Sequence, residues 1–172
     1  MATVDMTDLY DSTAPYAKPS AMAGGVAQPY LVEVELDFAE AVTEKGSALA
    51  SGDVIQVISV GAGTLILGAG MLVTEEHTGT STDTGFDLGI TGGDVDQWVD
   101  GFDFDGASLG DYAAVAAGAE LPTVVTAADT IDLLIAAMTG TTTGGKLRVW
   151  ALLLDLPDVS ESYDPGIAAL GS

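Results

Sequence analysis

The residues with the clearest chemical potential in this sequence are carboxylates. Asp94, Asp96, Asp100, Asp103, Asp105 and Asp111 crowd one stretch rich in Gly, and hard cations such as calcium are held by several carboxylate and carbonyl oxygens at once. The spacing does not follow the EF-hand loop. Asp94-Val-Asp96-Gln-Trp98 has no third ligand where that loop places one, and Asp103-Phe-Asp105-Gly106 has no Glu at the required distance. The stretch reads first as a solvated acidic loop, and Asp94, Asp96, Asp100, Asp103 and Asp105 are the candidate ligands for a calcium site of another geometry. Paired acids also serve glycosidases, but that chemistry needs two carboxyls at a set separation beside a cleft. A chain with 26 acidic residues supplies such pairs by chance.

Other catalytic equipment is sparse. There is no Cys, which excludes a disulfide framework and a zinc-thiolate site, and the single His77, in Glu75-Glu76-His77-Thr78, reads as a surface-loop residue. No Gly-x-Ser-x-Gly elbow is present. Gly61-Ala-Gly63 and Gly68-Ala-Gly70 neither reach the third glycine of a dinucleotide fingerprint nor open a helix, so they read as turn and packing glycines. Trp98, Phe102 and Phe104 in the acidic stretch offer stacking faces for a sugar, but aromatics in a Gly-rich loop more often pin that loop to a core. The expectation is a protein that is not an enzyme, with no catalytic residues and no cofactor.

With 4 basic and 26 acidic residues the formal charge is -22, which repels nucleic-acid phosphates and anionic membranes. It suits solubility, salty media or a partner with a basic surface. Hydrophobic residues make up 48% of the chain, enough for a real core beneath the acid. Met1 to Tyr10 lacks a basic n-region and an apolar h-region, so no secretory signal is expected. Val54 to Val73 carries no charge, but its glycines, Gln56 and Ser59, and its lack of flanking cations and aromatic anchors, argue against a membrane helix.

The elements that must position these groups are short strands. Val32, Val34, Leu36 and Phe38 alternate with Glu33, Glu35 and Asp37, which predicts a strand with one core face over Tyr30 to Phe38. Ala39 to Gly52 fits a turn of helix or a long loop, with the loop favoured. Strands follow at Asp53 to Val60, Thr64 to Thr74, Gly85 to Ile90, Pro122 to Val125, Thr130 to Met138 and Lys146 to Leu156, the last two joined by a hairpin connection over Thr139 to Gly145. Tyr112 to Ala119 is Ala-rich and fits a short helix or a loop. The prediction is an all-β single domain, a β-sandwich or jelly-roll-like barrel, over residues 28–156, with an extended N-terminal arm over 1–27 and a C-terminal tail over 157–172. If the first and last strands of that domain are neighbours, Lys146 and Arg148 face Glu33 and Glu35.

The runs Tyr30-Leu-Val-Glu-Val-Glu-Leu-Asp-Phe38, Ser51-Gly-Asp-Val-Ile-Gln-Val-Ile58, Asp87-Leu-Gly-Ile90, Asp129-Thr-Ile-Asp-Leu133 and Gly144-Gly-Lys-Leu-Arg-Val-Trp150 together resemble small virion structural proteins of marine tailed bacteriophages. The likeness spans Tyr30 to Asp155 and consists of strand and turn patterns. It implies a head decoration (cement) protein on the capsid exterior, bound to the major capsid protein and stabilising the head, commonly as a homo-oligomer with a trimer favoured. A tail or neck structural role stays open, as does a calcium-dependent ligand-binding module that uses the loop from Asp94 to Asp111.

Overall fold

The computed structural model describes residues 2–7, 28–90, 92–114 and 121–156. Its elements in chain order are β1 (Thr3–Asp5), β2 (Tyr30–Asp37), α1 (Phe38–Lys45), β3 (Val54–Val60), β4 (Thr64–Gly79), β5 (Thr84–Ile90), β6 (Val99–Asp103), β7 (Tyr112–Ala114), β8 (Thr123–Val124), β9 (Asp129–Met138) and β10 (Thr142–Asp155). They form two sheets. The first has the order β1-β3-β9-β5-β6, and the second β2-β10-β4-β7 with β8 also on β4. The all-β single domain is therefore as expected from the alternating patterns.

One core lies between the sheets, because each strand turns alternate residues inward. The second sheet contributes Leu36, Ile66, Ala69, Met71, Val73, Leu147, Val149, Ala151 and Leu153, and the first Ile55, Val57, Phe86, Leu88, Ile131, Leu133 and Ile135. Phe38, Phe86 and Phe104 meet at its centre with ring centroids 5.0 to 5.3 Å apart, Phe38 and Phe86 being stacked. Such contacts contribute about 0.5–1.5 kcal/mol each beyond area burial.

Five sequence expectations are corrected. Ala39 to Gly52 is not all loop: Asp37 caps α1 by accepting from Ala39 N at 2.8 Å and Glu40 N at 3.4 Å, and Gly46 ends the helix in the left-handed region. The strand expected to end at Thr74 runs on to Gly79, and β10 already begins at Thr142, which shortens the hairpin connection. Val99–Asp103 is a strand in a stretch read as loop, paired with β5. Within the stretch read as an arm over 1–27, Thr3–Asp5 joins the first sheet parallel to β3. Residues 8–27 and 157–172, and with them most of the predicted arm and the tail, lie outside the described residues, as do residues 115–120.

Asp53 holds this corner of the fold. Its side chain is 5% exposed and pairs with Lys45 at the end of α1. It also accepts from Ala2 N at 2.9 Å and Ala50 N at 2.8 Å, while Lys45 Nζ donates to Ala48 O at 2.6 Å. Burial pushes the Asp53 carboxyl up, but the Lys45 bond and the two backbone donors outweigh it and leave its pKa lowered from the usual 3.8. A depressed carboxyl favours folding above its unfolded pKa, and that contribution is lost as pH falls through the folded value. Asp53→Asn should lower the unfolding free energy at pH 7 by about 3 kcal/mol, since it leaves the Lys45 charge buried without its counter-ion. Urea titrations should show the gap between variant and wild type narrowing as pH drops below about 3.8.

Candidate functional site

Asp94, Asp96, Asp100, Asp103 and Asp111 are exposed and Asp105 is half-buried. Among the described residues no group of three or more His, Cys, Asp or Glu side chains is placed to hold a metal ion. Several of these carboxylates instead stabilise turns. Asp103 accepts from Gly106 N at 3.1 Å, Asp111 from Ser108 N at 2.8 Å, and Asp105 from Thr84 N. The main chain at Asp94 lies against β5, where Ile90 N donates to Asp94 O at 2.9 Å. A Cβ on Gly89 would stand 2.1 Å from that same oxygen, so only glycine lets the loop pack there. The aromatics do the pinning expected of them, with Trp98 and Phe104 fully buried.

His77 is not on a surface loop. It sits half-buried on β4, its Nε2 3.2 Å from both Thr142 Oγ1 and Ser81 Oγ, with its ring edge against Phe104. This hydroxyl network, which Thr84 joins through Ser81, packs at the edge of the core beside Phe104.

The distinctive surface is the outer face of the second sheet. Residues of β10 that alternate with the core ones, namely Lys146, Arg148, Trp150, Leu152 and Leu154, lie opposite Asp37, Glu35, Glu33 and Leu31 of β2 and Glu75, Leu72, Gly70, Gly68 and Leu65 of β4. The face divides into two parts. At one end Lys146 stands 3.3 Å from Asp37 and 3.9 Å from Glu35 and Glu75, and Arg148 stands 3.8 Å from Glu35. The predicted opposition of Lys146 and Arg148 to β2 carboxylates is thus present for Glu35, while Glu33 lies opposite Trp150. The bond to Asp37, with the nearby carboxylates, makes Lys146 more basic than usual. Exposed pairs of this kind contribute little to stability in water, so they set register more than stability.

The other end of the face is apolar. Leu31 and Val124 are each 47% exposed with Leu65, Leu152 and Leu154 half-buried beside them, and Leu72 with Tyr112, which is 75% exposed, continues the apolar surface alongside Arg148. The Trp150 indole packs over Gly68 and Gly70, where Cβ atoms would come within 3.6 and 2.9 Å of its ring. Tyr30 and Asp155 lock this end: Asp155 Oδ1 accepts from Tyr30 Oη at 2.9 Å and Thr64 Oγ1 at 3.0 Å, joining β2, β10 and β4. Burial and that bond push the Tyr30 hydroxyl well above its usual pKa. An antiparallel sheet usually presents a polar outer face to water, and a contiguous apolar patch marks an interaction site. The signal in the sequence was the unbroken run Trp150-Ala-Leu-Leu-Leu154, which abandons alternation in a strand that has only one core-facing side.

Two outcomes follow for the acidic stretch. Millimolar calcium should leave the thermal midpoint unchanged within about 1 °C, whereas a ligand bound at 100 times its Kd would add roughly 2.7 kcal/mol. Asp87, buried on β5, is raised above the usual carboxylate pKa first by burial and then by Asp100 and Asp96, against a 2.7 Å bond from Gly101 N. An acid whose pKa rises on folding opposes folding at pH values where it is charged. Asp87→Asn should therefore raise the unfolding midpoint in urea at pH 7, and the gain should vanish below about pH 4.

No family model and no curated protein matches the chain. Solved structures do. A chain in the capsid of Ralstonia phage GP4 is similar at TM-score 0.50 and 17% identity, covering 77% of this chain and 86% of that one. A chain in the acidic stable capsid structure of Helicobacter pylori bacteriophage KHP30 is similar at 0.51 and 15%, covering 77% and 91%. A chain in the cyanophage Pam1 capsid asymmetric unit is similar at 0.53 and 15%, covering 83% and 99%. What this chain shares with these three is its fold, a two-sheet β domain that recurs among the chains of phage capsid structures.

Proposed function

We propose that this chain is a bacteriophage virion structural protein, specifically a head decoration protein that binds the outer capsid surface and stabilises the shell. The observation that carries the reading is the apolar outer face of the second sheet, exposed on a domain of charge -22. The capsid context comes from the three neighbours of the same fold. The partner is the major capsid protein, and the decoration protein acts as a homo-oligomer, with a trimer favoured by the sequence resemblance.

The face also says what the partner surface should look like. Lys146 and Arg148 are already engaged by Glu35, Asp37 and Glu75, so the cations are satisfied within the face while surplus carboxylates, including Glu33, border it. An apolar patch with a basic rim is the complementary surface. The role needs no chemistry. A calcium-dependent module is less well supported, because carboxylates of the acidic loop are engaged with backbone donors.

The test is co-sedimentation with phage heads lacking this protein. Wild type should bind saturably and more weakly at high salt, as steering between opposite charges is screened. Leu152→Glu combined with Val124→Glu should weaken binding at least about 30-fold, the loss expected when a hot-spot contact is removed. Ser59→Glu, exposed on β3 in the other sheet, should bind as wild type does. Thermal melts of each variant separate lost binding from lost folding. Absence of wild-type binding to heads, with binding to tails or necks, would move the chain to those parts of the virion.

A further inference from the structure

We propose that the turn Ser108-Leu109-Gly110-Asp111 and the Tyr112 that follows it are a preformed anchor, which seats Leu109 and Tyr112 in an apolar socket with a cationic rim on the protein this chain binds. Among the described residues these are the two most exposed large apolar side chains, at 67% and 75%. Single exposed apolar residues are ordinary on a protein surface. Two within four residues, on a segment of fixed shape, make a compact apolar projection. Asp111 N donates to Ser108 O at 2.9 Å, which closes the turn, and Gly110 supplies the positive φ of 91° that the third position of a type II turn demands. Asp111 Oδ2 accepts from Ser108 N at 2.8 Å, and Glu76 Oε1 from Leu109 N at 3.4 Å. The turn is clasped to the edge of β4, where Gly110 N donates to Val73 O at 3.0 Å and Val73 N donates to Asp111 O at 2.8 Å. Before the turn, Ala107 N donates at 3.3 Å to the carbonyl of Phe104, whose ring is buried in the core.

These bonds are made by main chain and by carboxylates, so neither the Leu109 nor the Tyr112 side chain is needed to hold the turn closed. The area both offer is available to a partner. A segment already ordered before binding loses less entropy when it docks, and Tyr presents a large contact area on only two side-chain torsions, which is why it recurs among the residues that dominate interfaces. Tyr112 pairs directly opposite Leu72 and so shares the outer face of the second sheet, which makes the anchor continuous with the apolar surface of that face. The charge around it selects the socket. Asp111 and Glu76, both exposed, flank the turn on a chain of charge -22, so the matching rim is Lys or Arg, and a second copy of this chain is repelled. That the socket belongs to the major capsid protein rests on the proposed function; the shape and charge of the anchor do not.

Heads lacking this protein are the first probe, with binding read by co-sedimentation. Leu109→Ser combined with Tyr112→Ser should weaken binding at least about 30-fold, the loss of a hot-spot contact, while the thermal midpoint stays near that of wild type because both side chains are exposed. Tyr112→Phe should bind as wild type does, since the ring and not the hydroxyl fills the socket. Gly110→Ala keeps both apolar side chains and its Cβ meets nothing within 4 Å, but it strains a left-handed position; it should weaken binding about tenfold. Binding at wild-type strength by the double serine variant or by Gly110→Ala overturns the anchor and leaves the head role standing. The second probe is a photo-cross-linker, p-benzoylphenylalanine in place of Leu109, in assembled virions. A cross-link to a capsid-protein peptide with Lys or Arg beside apolar residues is expected; none, or one confined to other copies of this chain, overturns the proposal. A cross-link of the expected composition to a tail or neck protein upholds the anchor and removes the head role. Where wild type binds no heads, the cross-link alone decides.

Discussion

The antiparallel pairing of β4 with β10 is the constraint on which the rest of the molecule depends. It places Leu147, Val149, Ala151 and Leu153 opposite Val73, Met71, Ala69 and Ile66, giving the core one complete wall. The same register places Trp150 over Gly70 and Leu154 beside Leu65 on the other side. A one-residue slip would exchange core and surface along the whole strand. The register shift between Leu152 and Leu153 accommodates the extra residue of β4 at that point and returns Ile66 to the core face. Core packing and the exposed apolar face are thus two consequences of one register, and a slip would change both at once.

The helix shows how the sheets are fastened at one side. Eight residues are too few for a helix to be stable alone in water, so α1 persists because both its ends are held. At its start Asp37 caps the first turn and Phe38 stacks on Phe86 in the core. At its end Gly46 satisfies the carbonyls of Val42 and Thr43, and Lys45 reaches Asp53. Because Asp53 also accepts from Ala2 N, the helix, the β3 entrance and β1 share one buried carboxylate. That arrangement concentrates the energetics of the N-terminal segment at a single titratable group.

The parts of this structure legible in the sequence are those governed by period. The alternation of Val32, Val34 and Leu36 with acids showed a strand with one wet face, and the position of Lys146 and Arg148 foreshadowed their opposition to β2. A turn of helix was one of two readings for its stretch and the disfavoured one, because its signal is a cap and a terminating glycine around only two turns, with no apolar stripe long enough to read. β1 was hidden because three residues carry no period; it is a strand through its neighbour β3 and through Asp53, which is fifty residues away in sequence. For the site, residue chemistry pointed to the acidic loop, yet polar abundance in a chain of charge -22 carries little information. The informative departure was the opposite one, leucines where an outer face ought to be polar.

The charge gives that departure its meaning. A strongly acidic surface keeps copies apart and soluble through mutual repulsion, which works against self-association through an exposed apolar patch. Two of the four basic residues lie on the patch-bearing face, and both are paired there with carboxylates. With Glu33, Glu35, Asp37 and Glu75 beside those two cations the face keeps a net negative charge, which favours a basic surface over another copy of itself. Specificity of this kind combines an attractive apolar contact with a repulsive term against the wrong partner. Raising salt weakens both the repulsion between copies and the attraction to a basic partner, so the discrimination narrows while the apolar contact persists.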